Sequence, residues 1–272
     1  MRALILALLS AVALAPGSGR AAEPVLLHAA GSLREALTEV ARLFEARAGG
    51  TRVDAKFAAS GLLRDEIAKG ARAEVFASAN MEHPLSLTEA KQAGPTVLFA
   101  RNRLCALVRP GLAATTNNLL DLMLDANIKL GTSTPKADPS GDYALEAFRR
   151  AEAVRPGSRA LLEQKALQLT GGPNSSKAPA NRSIYAMMIA VGEADIFLTY
   201  CTNAQVAARE VPGAQVVALP SSFAVGADYG MTVMAGSSEP AYRFALTVTS
   251  SEGQSILAGH GFDAPVQTGG QK

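Results

Sequence analysis

Tryptophan is absent from this 272-residue chain, and aromatics of all kinds make up only 5% of it, so its core has to be built mainly from Ala, Leu and Val. A surplus of charge is also missing. The 26 basic residues are nearly matched by 24 acidic ones, which leaves no basic stripe for nucleic acid or anionic lipid. The three histidines, His28, His83 and His260, are scattered without H-x-x-H or similar spacing, so a metal site has no support. No G-x-S-x-G, P-loop or paired Cys/His motif occurs. Without an acid–base or nucleophile constellation, an enzyme is not the expected reading. Internal repeats and autonomous linkers are lacking too, and beyond the N-terminus no stretch is long and apolar enough to span a bilayer.

What is present begins with an N-terminus that does not belong to the core. Arg2 is followed by an almost wholly apolar run, Ala3 to Ala15, then by Pro16, Gly17 and Gly19, with Gly19 and Ala21 at the small positions of a cleavage site. This pattern predicts a secretory signal peptide over residues 1–21 and hence an exported, periplasmic protein. Its removal takes away Arg2 and Arg20 and leaves a mature chain that is about neutral. An anion binder of that charge has to use dipoles and hydrogen bonds. The two cysteines, Cys105 and Cys201, are either a disulfide, as export permits, or two buried thiols; spacing alone leaves both open.

The mature sequence alternates short apolar strands with amphipathic helices. Strands are predicted at Val25–Ala29, Thr51–Ala58, Glu74–Ser78, Thr96–Ala100, Leu104–Arg109, Ile128–Thr132, Asp195–Cys201, Gln215–Leu219 and Tyr229–Ala235. Helices are predicted at Leu33–Ala48, Leu62–Ala68, Pro84–Ala93, Thr116–Leu124, Asp142–Ala153, Ser158–Leu167, Ser183–Val191, Pro240–Val248 and Glu252–Ala258. Residues 171–181 read as a Gly-, Pro- and Ser-rich loop, and Pro265–Lys272 as a frayed tail. The βαβα order predicts an α/β protein with mostly parallel sheets flanked by helices. If the late strand Tyr229–Ala235 pairs with Leu104–Arg109, the chain crosses to a second lobe and returns. Lobe one is then 22–104 with 228–272, and lobe two 105–227.

Small polar residues stand where strands or loops hand over to helices: Ser32 in HAAGSL, Ser60 in FAASGLL, Ser140 and Gly141 in ADPSGDY, and Asn181 to Ser183 in PANRSIY. Helix N-termini offer unpaired N–H groups and a positive dipole end, and they attract anions without Lys or Arg. For any one of these serines alone, the ordinary role is an N-cap. Their distribution over two lobes, at the strand ends where α/β sheets bind ligands, points instead to one shared anion site.

The segments HAAGSL, FAASGLLRDEIAKGARAEVFASAN, DPSGDYALEAF and VGEADIFLTYCTNA, in this order and through GHGF at 259–262, resemble the periplasmic molybdate/tungstate-binding proteins, the ModA family. The resemblance covers nearly the whole mature chain and implies a two-lobed type II periplasmic-binding-protein fold with the ligand in the interlobe cleft. It implies capture of molybdate or tungstate for an ABC importer, whose membrane permease is the partner. No cofactor, metal or nucleic acid is expected, and the protein is expected to act as a monomer. Carried over by position, the ligand set is Ser32, Ser60 and Tyr200 through their hydroxyls, and Ser140 and Arg182 through their backbone N–H groups. Three features depart from the family pattern: Gly31 stands where Ala is usual, the loop at 171–181 differs, and Arg182 brings a charge to a site otherwise held by neutral donors. Its side chain is expected to face solvent; should it face the ligand, a sulfate-like anion or a metal chelate becomes the alternative. Among the remaining candidates, His28, Asp195, Met187 and Met188 read as structural.

Overall fold

The computed structural model describes residues 23–47, 51–179 and 182–265. The expected signal peptide, the end of the tail and Asn181 lie outside the described residues. β1 (Val25–Ala30) is wholly apolar but for His28 and buried along nearly its full length. A single 3-10 turn, Gly31–Leu33, leads into α1 (Arg34–Arg47), which buries Ala36, Leu37, Val40, Ala41 and Phe44. That three- and four-residue spacing lines one helix face, and each large apolar side chain so buried contributes roughly 1.5–3 kcal/mol. β2 (Val53–Ala58) is an edge strand with a largely exposed face. α2 (Ser60–Ala68), β3 (Val75–Ser78) and α3 (Glu82–Glu89) follow.

β4 (Val97–Val108) is one continuous strand where two were expected. Arg101 and Arg103, in the stretch between the two expected strands, extend along β4 and pair with Asp228 and Asp263. After it come α4 (Leu119–Leu124), β5 (Leu130–Ser133), α5 (Pro139–Val154), α6 (Ser158–Lys165), β6 (Leu167–Thr170), α7 (Ile184–Ala190) and β7 (Ile196–Tyr200). The chain closes with α8 (Cys201–Glu210), β8 (Gln215–Ala218), β9 (Gly226–Val233), α9 (Glu239–Thr249) and α10 (Ser251–Gly259). β6 and α8 were not anticipated. LQLT is too short and too exposed to read as a strand until β5 pairs with it. α8 follows Tyr200 without any connecting turn residue to mark its start.

The strands form one sheet in the order β2-β1-β3-β9-β4-β7-β5-β6, with β8 also on β4. β1, β2 and β3 run parallel, as do β5, β6 and β7, while β9 and β4 run against their neighbours. The pairing of the late strand differs from expectation. β9 lies against Val97–Arg103 of β4, whereas Leu104–Val108 pairs with β7 and β8. β4 thus changes partners at Arg103/Leu104 and joins two half-sheets. The first half packs around Leu27, Leu37, Phe44 and Phe244, and the second around Leu120, Phe148 and Leu198. The parallel strands of each half end at the seam between them: β1, β2 and β3 run out just before Ser32, Ser60 and Ala79, and β5, β6 and β7 end at Ser133, Thr170 and Tyr200.

The expected disulfide alternative is the one present. Cys105 and Cys201 are bonded, with Cα atoms 4.8 Å apart and a sequence separation of 96. The bridge ties the residue after Tyr200 to β4, where Leu104 stands opposite Tyr200.

Candidate functional site: hydroxyls at the seam of two half-sheets

Three of the four serines singled out above do not cap their helices. Ser60 is the first residue of α2, whose cap, Ala59, offers no side-chain acceptor. Ser60 is 1% exposed, and its Oγ accepts the Ala79 N–H at 3.1 Å, a contact across from β3. Ser32 sits in the 3-10 turn and its Oγ lies 2.9 Å from the Tyr229 hydroxyl. Ser140 is the second residue of α5, whose cap is Asp138. Only Ser183 caps, accepting the Ala186 N–H. Base-rate capping therefore does not explain why Ser32, Ser60 and Ser140 are serine.

A chain of contacts joins most of the expected set. Ser60 holds the Ala79 N–H, and the Ala79 carbonyl accepts from the Tyr200 hydroxyl at 3.4 Å. The Tyr200 ring stands edge-on to Tyr229 at 5.5 Å, and Tyr229 reaches Ser32. Tyr200 comes from the second half-sheet but is buried in the core of the first. A second crossing brings in Ser140. The Gly61 N–H, next to Ser60, donates to the Ala137 carbonyl at 2.9 Å, just ahead of α5. Glycine is required there, since a Cβ on residue 61 would fall 2.4 Å from the Lys136 carbonyl oxygen and 2.6 Å from that of Ala137. Gly141 is similarly enclosed, since a Cβ there would fall 2.6 Å from the Ser133 carbonyl oxygen.

Ser140 is placed differently from expectation. Its amide, the donor expected for a ligand, is taken by Asp138 Oδ1 at 3.0 Å. Its hydroxyl, fully buried, has no partner. Arg182 stands apart from the chain of contacts. Its Nε pairs with Glu210 Oε2 at 2.9 Å, its side chain is about half exposed, and its N–H donates to the Pro179 carbonyl. Glu210 also accepts the Ser183 N–H, so the start of α7 is already satisfied locally.

Burial pushes the Tyr200 and Tyr229 hydroxyls well above the usual phenol range, with neighbouring tyrosines and Asp138 adding to the effect on Tyr200. Both stay neutral donors. Burial likewise raises Asp138, against the opposing pull of hydrogen bonds from the Ser140 N–H and Ser133. Among the described residues, no Lys or Arg side chain hydrogen-bonds to Ser32, Ser60, Ser140, Tyr200 or Tyr229, and no cluster of His, Cys, Asp and Glu could hold a metal ion. The remaining structural readings find local explanations. Asp195 pairs with Arg109 and accepts the Lys129 N–H. Met188 is core, and His28 is buried with Nδ1 unpartnered.

Sequence reasoning passed over Tyr229, Asp138 and Ala79. Tyrosine is rare here, and four of the five, Tyr143, Tyr185, Tyr200 and Tyr229, lie at or beside the seam. That scarcity, in a chain without Trp, was the available signal for Tyr229. Ala79 acts only through its backbone and leaves none.

The family profile described as bacterial extracellular solute-binding protein matches residues 25–263. The chain belongs to this family. An uncharacterized protein of Pasteurella multocida is 35% identical over 204 residues, 74% of this chain and 83% of that protein. The molybdate-binding protein ModA of Mycobacterium bovis is 27% identical over 252 residues, 92% of this chain and 88% of its own length. Among solved structures, the periplasmic molybdate-binding protein of Azotobacter vinelandii superposes with a TM-score of 0.72 at 18% identity, over 89% of this chain and 100% of that one. The sulfate-binding protein SubI of Mycobacterium tuberculosis gives 0.71 at 17% identity, over 90% and 88%. The fold is that of the type II periplasmic binding proteins, a curled mixed sheet flanked by helices.

Proposed function

We propose that this solute-binding protein captures a tetrahedral oxyanion, molybdate or tungstate, in the periplasm and delivers it to the membrane permease of an ABC importer. The observation that carries the reading is the gathering of neutral donors at the seam. Ser32, Ser60 and Tyr200 converge through Ala79 and Tyr229, and among the described residues no basic side chain hydrogen-bonds to them. A dianion shed of water needs several donors, and hydrogen bonds to charged groups contribute about 1.5–3 kcal/mol each. Neutral hydroxyls and helix N-termini supply them without the desolvation cost of buried cations. The likeness to a molybdate-binding relative over most of the chain favours the same ligand class.

In this reading lobe one is 22–104 with 228–272 and lobe two is 105–227, with the partner change of β4 at the crossing. Ser140 contributes its unpartnered hydroxyl and not its amide. Arg182, held by Glu210, serves the surface and leaves the ligand to neutral groups. Sulfate is the second reading, because the fold superposes almost equally well on a sulfate-binding protein. Calorimetric titration with molybdate, tungstate and sulfate tests both. Tight binding of the first two over sulfate is expected; tighter sulfate binding would replace the assignment, and no binding of any of the three would remove it.

A further inference from the structure

We infer that Asp138 takes up a proton when the anion binds, so that the lobe-two half of the site holds its ligand beside a neutral carboxylic acid. The inference rests on the oxyanion reading above. Asp138 caps α5, the helix whose N-terminus faces the seam, and its Oδ1 accepts the Ser140 N–H. Its other oxygen is packed against Gly171, where a Cβ would come within 2.5 Å of Oδ2. Ser133 donates to it in turn, with Thr170 2.9 Å from the Ser133 hydroxyl. Beside this carboxylate lies the buried, unpartnered hydroxyl of Ser140. The same helix end thus carries a resident anion and a donor waiting for another.

Among the described residues, no positive charge acts on Asp138 itself to reconcile two anions. On its own helix the charged group acting on Asp138 is a further acid, Asp142, which accepts the Lys136 N–H and feels Lys136 and Glu82 of α3. From α7, β7 and β9 the groups within its electrostatic reach are the hydroxyls of Tyr185, Tyr200 and Tyr229. From β5 it meets Ser133. A dianion entering this set faces a carboxylate at the same dipole end, and like charges a few ångströms apart in a dry site do not both persist. One proton from solvent on Asp138 removes the conflict: the carboxylate and H+ give the neutral acid, whose carbonyl oxygen keeps the Ser140 N–H. Burial already favours the neutral form of Asp138 before any ligand arrives.

Two measurements test this with molybdate as the probe, on the mature protein with its disulfide intact, from about pH 6.5 to about pH 8.5. Affinity is expected to weaken toward high pH, approaching tenfold per pH unit, and calorimetry in buffers of different ionisation heat is expected to register up to one proton taken up per anion. Asp138→Asn keeps a capping oxygen and cannot ionise. It is expected to give a flat profile and to bind at least about tenfold more tightly than wild type at the alkaline end. Molybdate binding with a flat wild-type profile and no proton uptake overturns the inference and leaves the oxyanion reading standing. So does an Asp138→Asn protein that keeps the wild-type slope, or one that is folded by circular dichroism yet does not bind. Absence of molybdate binding at every pH removes both.

Discussion

The two half-sheets furnish the seam in unlike ways. On the side of the first half-sheet the hydroxyls are already paired: Ser32 with Tyr229, Ser60 with the Ala79 N–H. At the start of α5, on the other side, the Ser140 hydroxyl has no partner and the helix end is capped by an acid. The second half-sheet is also covalently stapled at the foot of Tyr200, while the described part of the first has no covalent tie. One side is satisfied as it stands. The other carries an uncompensated donor and a half-buried acid, features that stabilise little in the free protein and that, under the proposed function, gain worth when an anion binds.

The largest test of that contrast is the disulfide. Replacing both Cys105 and Cys201 by Ser releases a loop of 96 residues, for which a loss of about 2–5 kcal/mol is expected. Urea denaturation followed by fluorescence or circular dichroism measures it; an unchanged midpoint would show that β4 and α8 hold the end of β7 unaided. Next come the hydroxyls. Ser60→Ala and Tyr200→Phe should weaken anion binding roughly tenfold to hundredfold, and Ser60→Ala should also lower the melting temperature, since the Ala79 N–H loses its acceptor. Ser140→Ala should divide the two readouts. Binding falls by about tenfold, yet the free protein melts no lower, because the hydroxyl removed had no partner. A drop in both for Ser140→Ala would erase the distinction between the halves.

Acid sensitivity sharpens the comparison from another side. His83 of α3 is buried with neither ring nitrogen partnered, and burial first, then Arg64, depresses its pKa from the usual 6.5. The sign follows from proton counting. Above the unfolded value both states are neutral and nothing is lost. As pH falls below it, the unfolded chain binds a proton that the folded chain refuses, and stability declines. Asp138 works the other way, since its raised pKa makes the folded state the better proton binder as pH falls. His83→Gln should therefore narrow the gap between melting temperatures at about pH 8 and about pH 5.5, by an amount worth about 1 kcal/mol. An unchanged gap would locate the acid sensitivity elsewhere. The smallest effect is expected at Arg182. Its pair with Glu210 is exposed, and such pairs contribute about 1 kcal/mol or less. Arg182→Ala should change anion affinity by less than about threefold in titration. A large, salt-sensitive loss would mean that the arginine swings toward the ligand.

By itself the sequence determined the alternation of strands and helices, the apolar face of α1 and the placing of Ser32, Ser60 and Tyr200 at strand ends. These are local matters: period, burial pattern and the residue that follows a strand. The near-neutral charge balance of the chain was legible too, as was the family resemblance those segments carry. What only the tertiary structure decided depends on partners far away in the chain. β6 is a strand because β5 runs beside it, and β4 is one strand because β9 and β7 take its two ends in turn. Tyr229 joins the site from 197 residues beyond Ser32. That the Ser140 amide is taken and its hydroxyl left without a partner turned on Asp138, a neighbour in sequence whose side chain could equally have faced water. A hydrogen bond assigns each donor once, and which acceptor takes it is settled by packing, because a buried group has no water to fall back on.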